Sequence, residues 1–105
     1  MALHNTILTD TAQSIFTSAT VPDGDLVAVM YFCNTSNNPC TITVHAVPNG
    51  DSPATDNIIY YDVQIASKDT FVVDMEKIML GVGDSLHASA NISNVVTCTV
   101  STLGA

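Results

Sequence analysis

The chain has 105 residues, and its ten acidic side chains against two lysines give a net charge of −8. That length makes one domain with a single modest core, and Lys68 and Lys77 alone cannot supply the counterion exchange that non-specific nucleic-acid binding needs. Charged residues are only 11% of the chain, less than half the usual share of about one quarter; Thr, Ser and Asn supply the polarity instead, a mixture suited to strands and short turns.

Residues 1–8, MALHNTIL, have no basic segment ahead of a long apolar core, so no signal peptide is expected. No apolar run approaches bilayer-spanning length. Folding in a cytoplasm is the expectation, and the sequons at Asn34 and Asn91 are then chance matches. Residues 1–10 show little periodicity and read as an N-terminal arm, with Ile7 and Leu8 available to dock. Residues 12–17 make a first strand with Ile15 and Phe16 on opposite faces. Val21, Pro22, Asp23, Gly24 and Asp25 form a turn whose acids keep it in water.

Residues 26–47 organise the rest. The run 26–33, LVAVMYFC, is uncharged and apolar on both phases, which predicts a central strand. Residues 34–39, NTSNNP, are turn formers, and 40–47 then alternate around Ile42, Val44 and Ala46. The expected arrangement is a hairpin, with the second strand beside the first and Pro39 kept out of the ladder. A long polar loop, 48–57, leads to a strand at 58–66 with Ile59, Tyr61, Val63 and Ile65 on one face. Phe71, Val73 and Met75 form the inward set of the next strand, and 76–80 fit either a helical turn or extended chain. Leu86, Ala88, Ala90 and Ile92 alternate through the following strand, and Val96, Cys98 and Val100 through the last.

Seven to eight short strands, with turn signals every eight to twelve residues and no convincing helix, define an all-β antiparallel sandwich, Ig-like or jelly-roll-like, over residues 11–105. The expected core is Val27, Val29, Tyr31, Ile42, Val44, Ile59, Tyr61, Val63, Phe71, Val73, Leu86, Ala88, Val96, Cys98 and Val100. Met30, Phe32 and Ile58 fall on the opposite phases, and a second apolar face commonly marks an interface. With Ile7 and Leu8 they are the expected partner-binding residues.

No chemistry-bearing constellation stands out. Cys33, Cys40 and Cys98 match no metal or redox spacing and read as buried thiols, with a Cys33–Cys40 disulfide as the alternative. His4, His45 and His87 read as unrelated imidazoles; His45 and His87 would meet only on neighbouring strands of one sheet, and zinc needs several convergent ligands. The loop acids Asp23, Asp25, Asp51, Asp56 and Asp84 read as turn solvation; Asp23 and Asp25 in PDGD could offer carboxylate oxygens to calcium but lack the spacing of a twelve-residue calcium loop. Asp74 and Glu76 would share a face but have no cleft around them. Tyr31, Tyr60 and Tyr61 are candidates for a sugar-stacking platform or, more simply, for core and interface positions. The expectation is no enzyme, no cofactor and no resident metal.

The blocks YFCNTSNNPCTITVHAVPNG, IIYYDVQIASKDTFVVDMEKIMLGVGDSLHASAN and VVTCTVSTLG, within residues 10–103, resemble small virion structural proteins of tailed bacteriophages. The resemblance implies a non-catalytic β-sandwich protein of the virion, made in the host cytoplasm. Such proteins serve as head decoration (cement) proteins bridging major capsid subunits. The other roles in the group are tail, neck, baseplate or fibre components, including glycan- or receptor-binding modules. It also implies a homotrimer, or a ring in a larger assembly, with capsid or tail proteins as partners. Cys33 and Cys40 are not required by the resemblance.

Overall fold

In the computed structural model, which describes residues 2–74 and 77–104, the β-branched runs pair into nine antiparallel strands in two packed sheets. They are β1 (Ala2–Ile7), β2 (Gln13–Thr17), β3 (Asp25–Asn34), β4 (Cys40–Val47), β5 (Ile58–Ile65), β6 (Thr70–Val73), β7 (Ile78–Leu80), β8 (Ser85–Ala90) and β9 (Val96–Gly104). A single 3-10 turn, Thr55–Asn57, is the helical content among the described residues. Sheet A has the order β1-β9-β3-β6, with β7 also on β3, and sheet B the order β2-β8-β4-β5. Taking β6 and β7 as one interrupted strand, every connection crosses between the sheets except β4 to β5. That is the strand order of a jelly roll, so of the two sandwiches expected, the chain folds as this one.

Three expectations are corrected by this topology. First, β3 and β4 are not a hairpin. Both are central strands, but β3 lies in sheet A between β9 and the β6/β7 pair, and β4 in sheet B between β8 and β5. Asn34, fully buried, turns the chain from one sheet to the other. Its Nδ2 donates to the carbonyls of Asn38 (2.8 Å), Ile65 (3.2 Å) and Ala66 (3.2 Å), and its Oδ1 accepts from the backbone and hydroxyl of Ser36. A six-residue polar segment has the reach to cross a sandwich, and here a side chain supplies the hydrogen bonds that a hairpin ladder would otherwise make.

Second, the segment expected as an arm is part of the sandwich. Residues 2–7 pair with Thr97–Thr102 of β9 as the edge strand of sheet A. Leu8 is wholly buried, its backbone bonded to Val96 and Asn94.

Third, the inward phases of β3 and β5 are reversed over part of their length. Ala28 is an extra residue opposite β9, between the pairs Val27–Thr102 and Val29–Ser101. Such a bulge flips the side-chain phase beyond it. Val27 therefore points inward, and so do Met30 and Phe32, at 1% and 0% exposure, while Tyr31 is 41% exposed and Val29 half-buried. The bulge sits where the partner strand is interrupted between β6 and β7, and Lys77 Nζ donates to the Ala28 carbonyl there. In β5, Asp62 has a positive φ of 48° and lies in an extra residue's worth of chain between the pairs Val44–Tyr60 and Ile42–Val63. Ile59 and Tyr61 consequently face solvent, and Tyr60 packs on the core against Phe71. In β2 a similar shift between Ser14 and Phe16 turns both Ile15 and Phe16 inward, against the expected opposite facing.

Where no bulge intervenes the alternation holds. Leu86, Ala88 and Ala90 of β8 and Val96, Cys98 and Val100 of β9 are all core; Ile92 falls in the turn beyond β8 and is exposed. Phe71 and Val73 are inward as expected, whereas Met75 and Glu76 lie outside the described residues. The stretch before the 81–84 turn ends in a strand, β7. Asp25, placed in a solvated turn by its sequence, is instead 6% exposed, and its carboxylate accepts from Ser18 Oγ (2.7 Å) and Thr20 Oγ1 (2.8 Å). Those bonds, Ser18's first, hold its pKa below the ordinary carboxylate value against the opposing pull of burial. Gly24 beside it has φ 87°, and a Cβ there would meet the Leu80 carbonyl, so the turn requires glycine.

Candidate docking face

Residues directly opposite in an antiparallel ladder share a face, so the pairing of sheet A sets its outer surface. Leu3 lies beside Ser101 and then Val29; Asn5 beside Thr99, Tyr31 and Val72; Ile7 beside Thr97, Cys33 and Thr70; Leu103 beside Leu26 and Met79. Leu3, Ile7, Tyr31, Val72, Met79 and Leu103 are each more than 40% exposed. The five strands of this sheet contain one charged residue, Asp25, and it is turned inward onto Ser18. Among the described residues the strands of sheet A therefore turn no charged side chain outward; their outer face has apolar flanks and a hydroxyl-bearing centre on β9, with Lys77 at the gap between β6 and β7.

The expected partner-binding residues separate on this geometry. Ile7 is 57% exposed and stands on the face. Leu8, Met30 and Phe32 are buried in the core and can offer nothing to a partner without unfolding. Ile58 is half-buried at the start of edge strand β5. The residues of the face that sequence reasoning placed inside are Val29 and Tyr31. Their signal was present, since the whole 26–33 run is apolar, but the bulge decided which half looks outward.

The outer face of sheet B is different in kind. Ser14, Thr17, Thr41, Thr43, Ser89 and Gln64 line it, and His45 and His87 stand directly opposite one another on β4 and β8. His45 is 8% exposed, and its Nδ1 faces the Ala54 carbonyl (3.1 Å) and Asn57 Oδ1 (2.8 Å). Asn57 accepts from Ala54 N and donates to the Ser52 carbonyl, which fixes its amide orientation. Both partners of His45 Nδ1 are acceptors, so that nitrogen carries the proton, and the ring ties the 48–57 loop to β4. His87 Nδ1 lies 3.3 Å from Ser85 Oγ; burial, and then the facing His45, press its pKa below the ordinary 6.5. Neither ring has a carboxylate hydrogen-bond partner among the described residues, so Ser85 and His87 lack the third group that orients a base. His4 stands in sheet A, packed on Phe16 and 3.4 Å from Thr102 Oγ1.

The remaining candidates do not assemble. The cysteines are free: Cys33 and Cys40 sit on different sheets, and burial raises the Cys40 thiol pKa and pushes that of Cys98 up to about 12. Tyr31 and Tyr61 lie on opposite outer faces and Tyr60 points inward, so no three-ring platform forms. No group of three or more His, Cys, Asp or Glu side chains suited to a metal ion occurs among the described residues. An open depression of about 540 Å³ by Pro39, Gln64, Ala66, Ser67 and Asp69 offers a single carboxylate. Asp84 is occupied structurally, accepting from Asn49 N and Gly81 N to join two loops. No helix among the described residues is long and apolar enough to cross a membrane. Comparison with protein-family models, curated proteins and solved structures finds no match to this chain in any of the three.

Proposed function

We propose that this chain is a non-catalytic structural protein of a tailed-phage virion, acting as a head decoration (cement) protein that bridges major capsid subunits. The observation that carries the reading is the outer face of sheet A, whose described strands turn no charged side chain outward and expose Leu, Ile, Tyr, Val and Met side chains, on a chain of net charge −8. Exposed apolar side chains gathered on one face are what protein–protein contacts use. The resemblance of the sequence blocks to virion proteins supplies the setting, and the jelly roll is an architecture shared by capsid and lectin domains, although a fold by itself assigns no task. Many modest contacts per particle give firm attachment through effective concentration, and loop acids such as Asp51 and Asp56 would steer the protein towards basic patches of a shell.

One observation favours a second reading, a glycan- or receptor-binding module of the tail, neck, baseplate or fibre. Tyr61 is 70% exposed beside Ile59 on the outer side of β5, an aromatic ring available for stacking on a sugar. Cryo-electron microscopy of particles containing the protein separates the two. Stoichiometric copies on the head surface, with shells that lose heat resistance when the protein is stripped, support the decoration role. A few copies at a tail tip, holding a glycan against Tyr61, would replace it.

A further inference from the structure

We propose that the occupant of the outer face of sheet A is a second copy of this chain, packed face to face about a twofold axis. The inference rests on reading that face as a protein-contact surface and names its occupant; the bridging unit is then the pair, which meets the shell through its loop ends and the outer faces of its two B sheets. Size permits it. Four strand positions about 4.8 Å apart and roughly 30 Å long give about 550 Å² per copy. Two such faces bury about 1,100 Å², past the roughly 1,000 Å² that a specific interface needs.

Charge disfavours an end-on approach, and the exposed apolar side chains single out sheet A. Two copies at −8 repel, and an approach through the loop ends would bring Asp51, Asp56 and Asp84 of each copy together. The described strands of sheet A turn no charged side chain outward, so stacking the two sheets there keeps those acids apart. A surface meeting its own copy is self-complementary only about a twofold, so the contact makes a pair rather than the trimer that the resemblance implies. Each Tyr31 then lies near the middle of the contact, with Val72 beside it on edge strand β6, Met79 farther along that edge on β7, and Leu3 and Ile7 on the opposite edge.

The electrostatics give the contact a signature. Its attraction is apolar, and its opposition is long-range repulsion that salt screens. Association therefore strengthens as salt rises, the reverse of a contact made by ion pairs.

The test is sedimentation equilibrium of the full chain at micromolar concentration, in low and high salt, beside the double variant Tyr31→Lys with Val72→Lys. Both positions are exposed, so the variant keeps its β-sheet circular dichroism and, at a dilution where wild type is also monomeric, its unfolding midpoint. The expected result is a wild-type dimer that tightens with salt and is weakened about tenfold or more in the variant. A monomer under all conditions, a trimer, or a dimer indifferent to the two lysines overturns the inference. Attachment of the same two proteins to stripped particles is measured in parallel. A wild-type monomer whose attachment fails in the variant removes the dimer and leaves the docking face standing. Indifference of both mass and attachment removes both.

Discussion

Replacing Asn34 by Ala should damage the fold more than any contact-free surface change, and the size of the loss follows from its position. The side chain is fully buried at the corner where the chain leaves sheet A for sheet B. Two N–H groups on Nδ2 serve three carbonyls, those of Asn38, Ile65 and Ala66, and Oδ1 receives two donors from Ser36. Truncation leaves the Ile65 carbonyl, the most enclosed of these, without this donor. A buried polar group left unsatisfied costs about 1–3 kcal/mol, and the lost bonds to Ser36 and Asn38, nearer water, add roughly 1 kcal/mol net. The expected total is about 2–4 kcal/mol, a large share of the roughly 5–15 kcal/mol that stabilises a domain of this size. At about 4–8 °C per kcal/mol, the thermal midpoint should fall by at least about 8 °C. The sharper variant is Asn34→Asp, which keeps the shape but turns a carboxylate onto three carbonyl oxygens, and at neutral pH it should be at least as destabilising. Urea unfolding followed by circular dichroism at constant m-value reads both. An alanine variant within about 0.5 kcal/mol of wild type, the range of ordinary surface changes, would show that the corner is held by the strands and not by Asn34.

Three further outcomes are expected. Leu8→Ala should cost about 2–5 kcal/mol as a large-to-small core change, and deleting residues 1–10 should destabilise the sandwich by uncovering β9, whereas a detachable arm would leave the urea midpoint unmoved. Burial and the facing His45 lower the His87 pKa in the fold, so the folded chain binds fewer protons than the unfolded one near pH 6. Stability should thus be full above 6.5 and decline as pH falls below it, and His87→Gln should remove that part of the pH profile in thermal melts. A disulfide-exchange reagent should modify Cys33 alone in the native protein and all three thiols after unfolding, because Cys40 and Cys98 are buried and poor in thiolate; rapid native reaction of all three would contradict the burial.

The sequence pattern carries the fold class because Thr, Val and Ile alternate between turn formers along most of the chain. It carries β8 and β9 residue by residue because no bulge breaks their phase. It does not carry β3 and β5, for two different reasons. In β5 the alternation of Ile59, Tyr61, Val63 and Ile65 looks regular, but Asp62 enters the left-handed region and absorbs an extra residue, so that Tyr60 rather than Tyr61 meets Phe71. In β3 both phases are apolar, and nothing local says which is inside. The crossing at Asn34 was hidden for a related reason. Six turn formers between two strands fit a hairpin loop and a sheet-to-sheet corner equally well, and only the distant Ile65 and Ala66 carbonyls distinguish them. The pairing of His45 with His87 depends on β4 and β8 being neighbours, a long-range fact that neither segment states.

Low charge alone does not single out the face on sheet A. The strands of sheet B also contain one charged residue, Asp62, and the chain as a whole is poor in charge. What separates the two outer faces is what stands in place of charge. On sheet B the outward positions of the central strands β4 and β8 carry Thr41, Thr43, His45, His87 and Ser89, and a loop tied down by Asn57 folds against His45. On sheet A the outward positions of β3 carry Leu26, Val29, Tyr31 and Cys33, and apolar side chains stand at both edges, on β1 and on β6 and β7. An antiparallel sheet can leave one face to water, and then its outward residues are ordinarily polar. The central strands of sheet B follow that rule; in sheet A, β9 follows it with Thr97, Thr99 and Ser101, and β3 does not. The apolar second phase of residues 26–33 does reach the surface, but the Ala28 bulge puts Val29 and Tyr31 there and turns Met30 and Phe32 into the core. The core side and the outward apolar side thus belong to one strand, and which residues fall on each is set by a single extra residue.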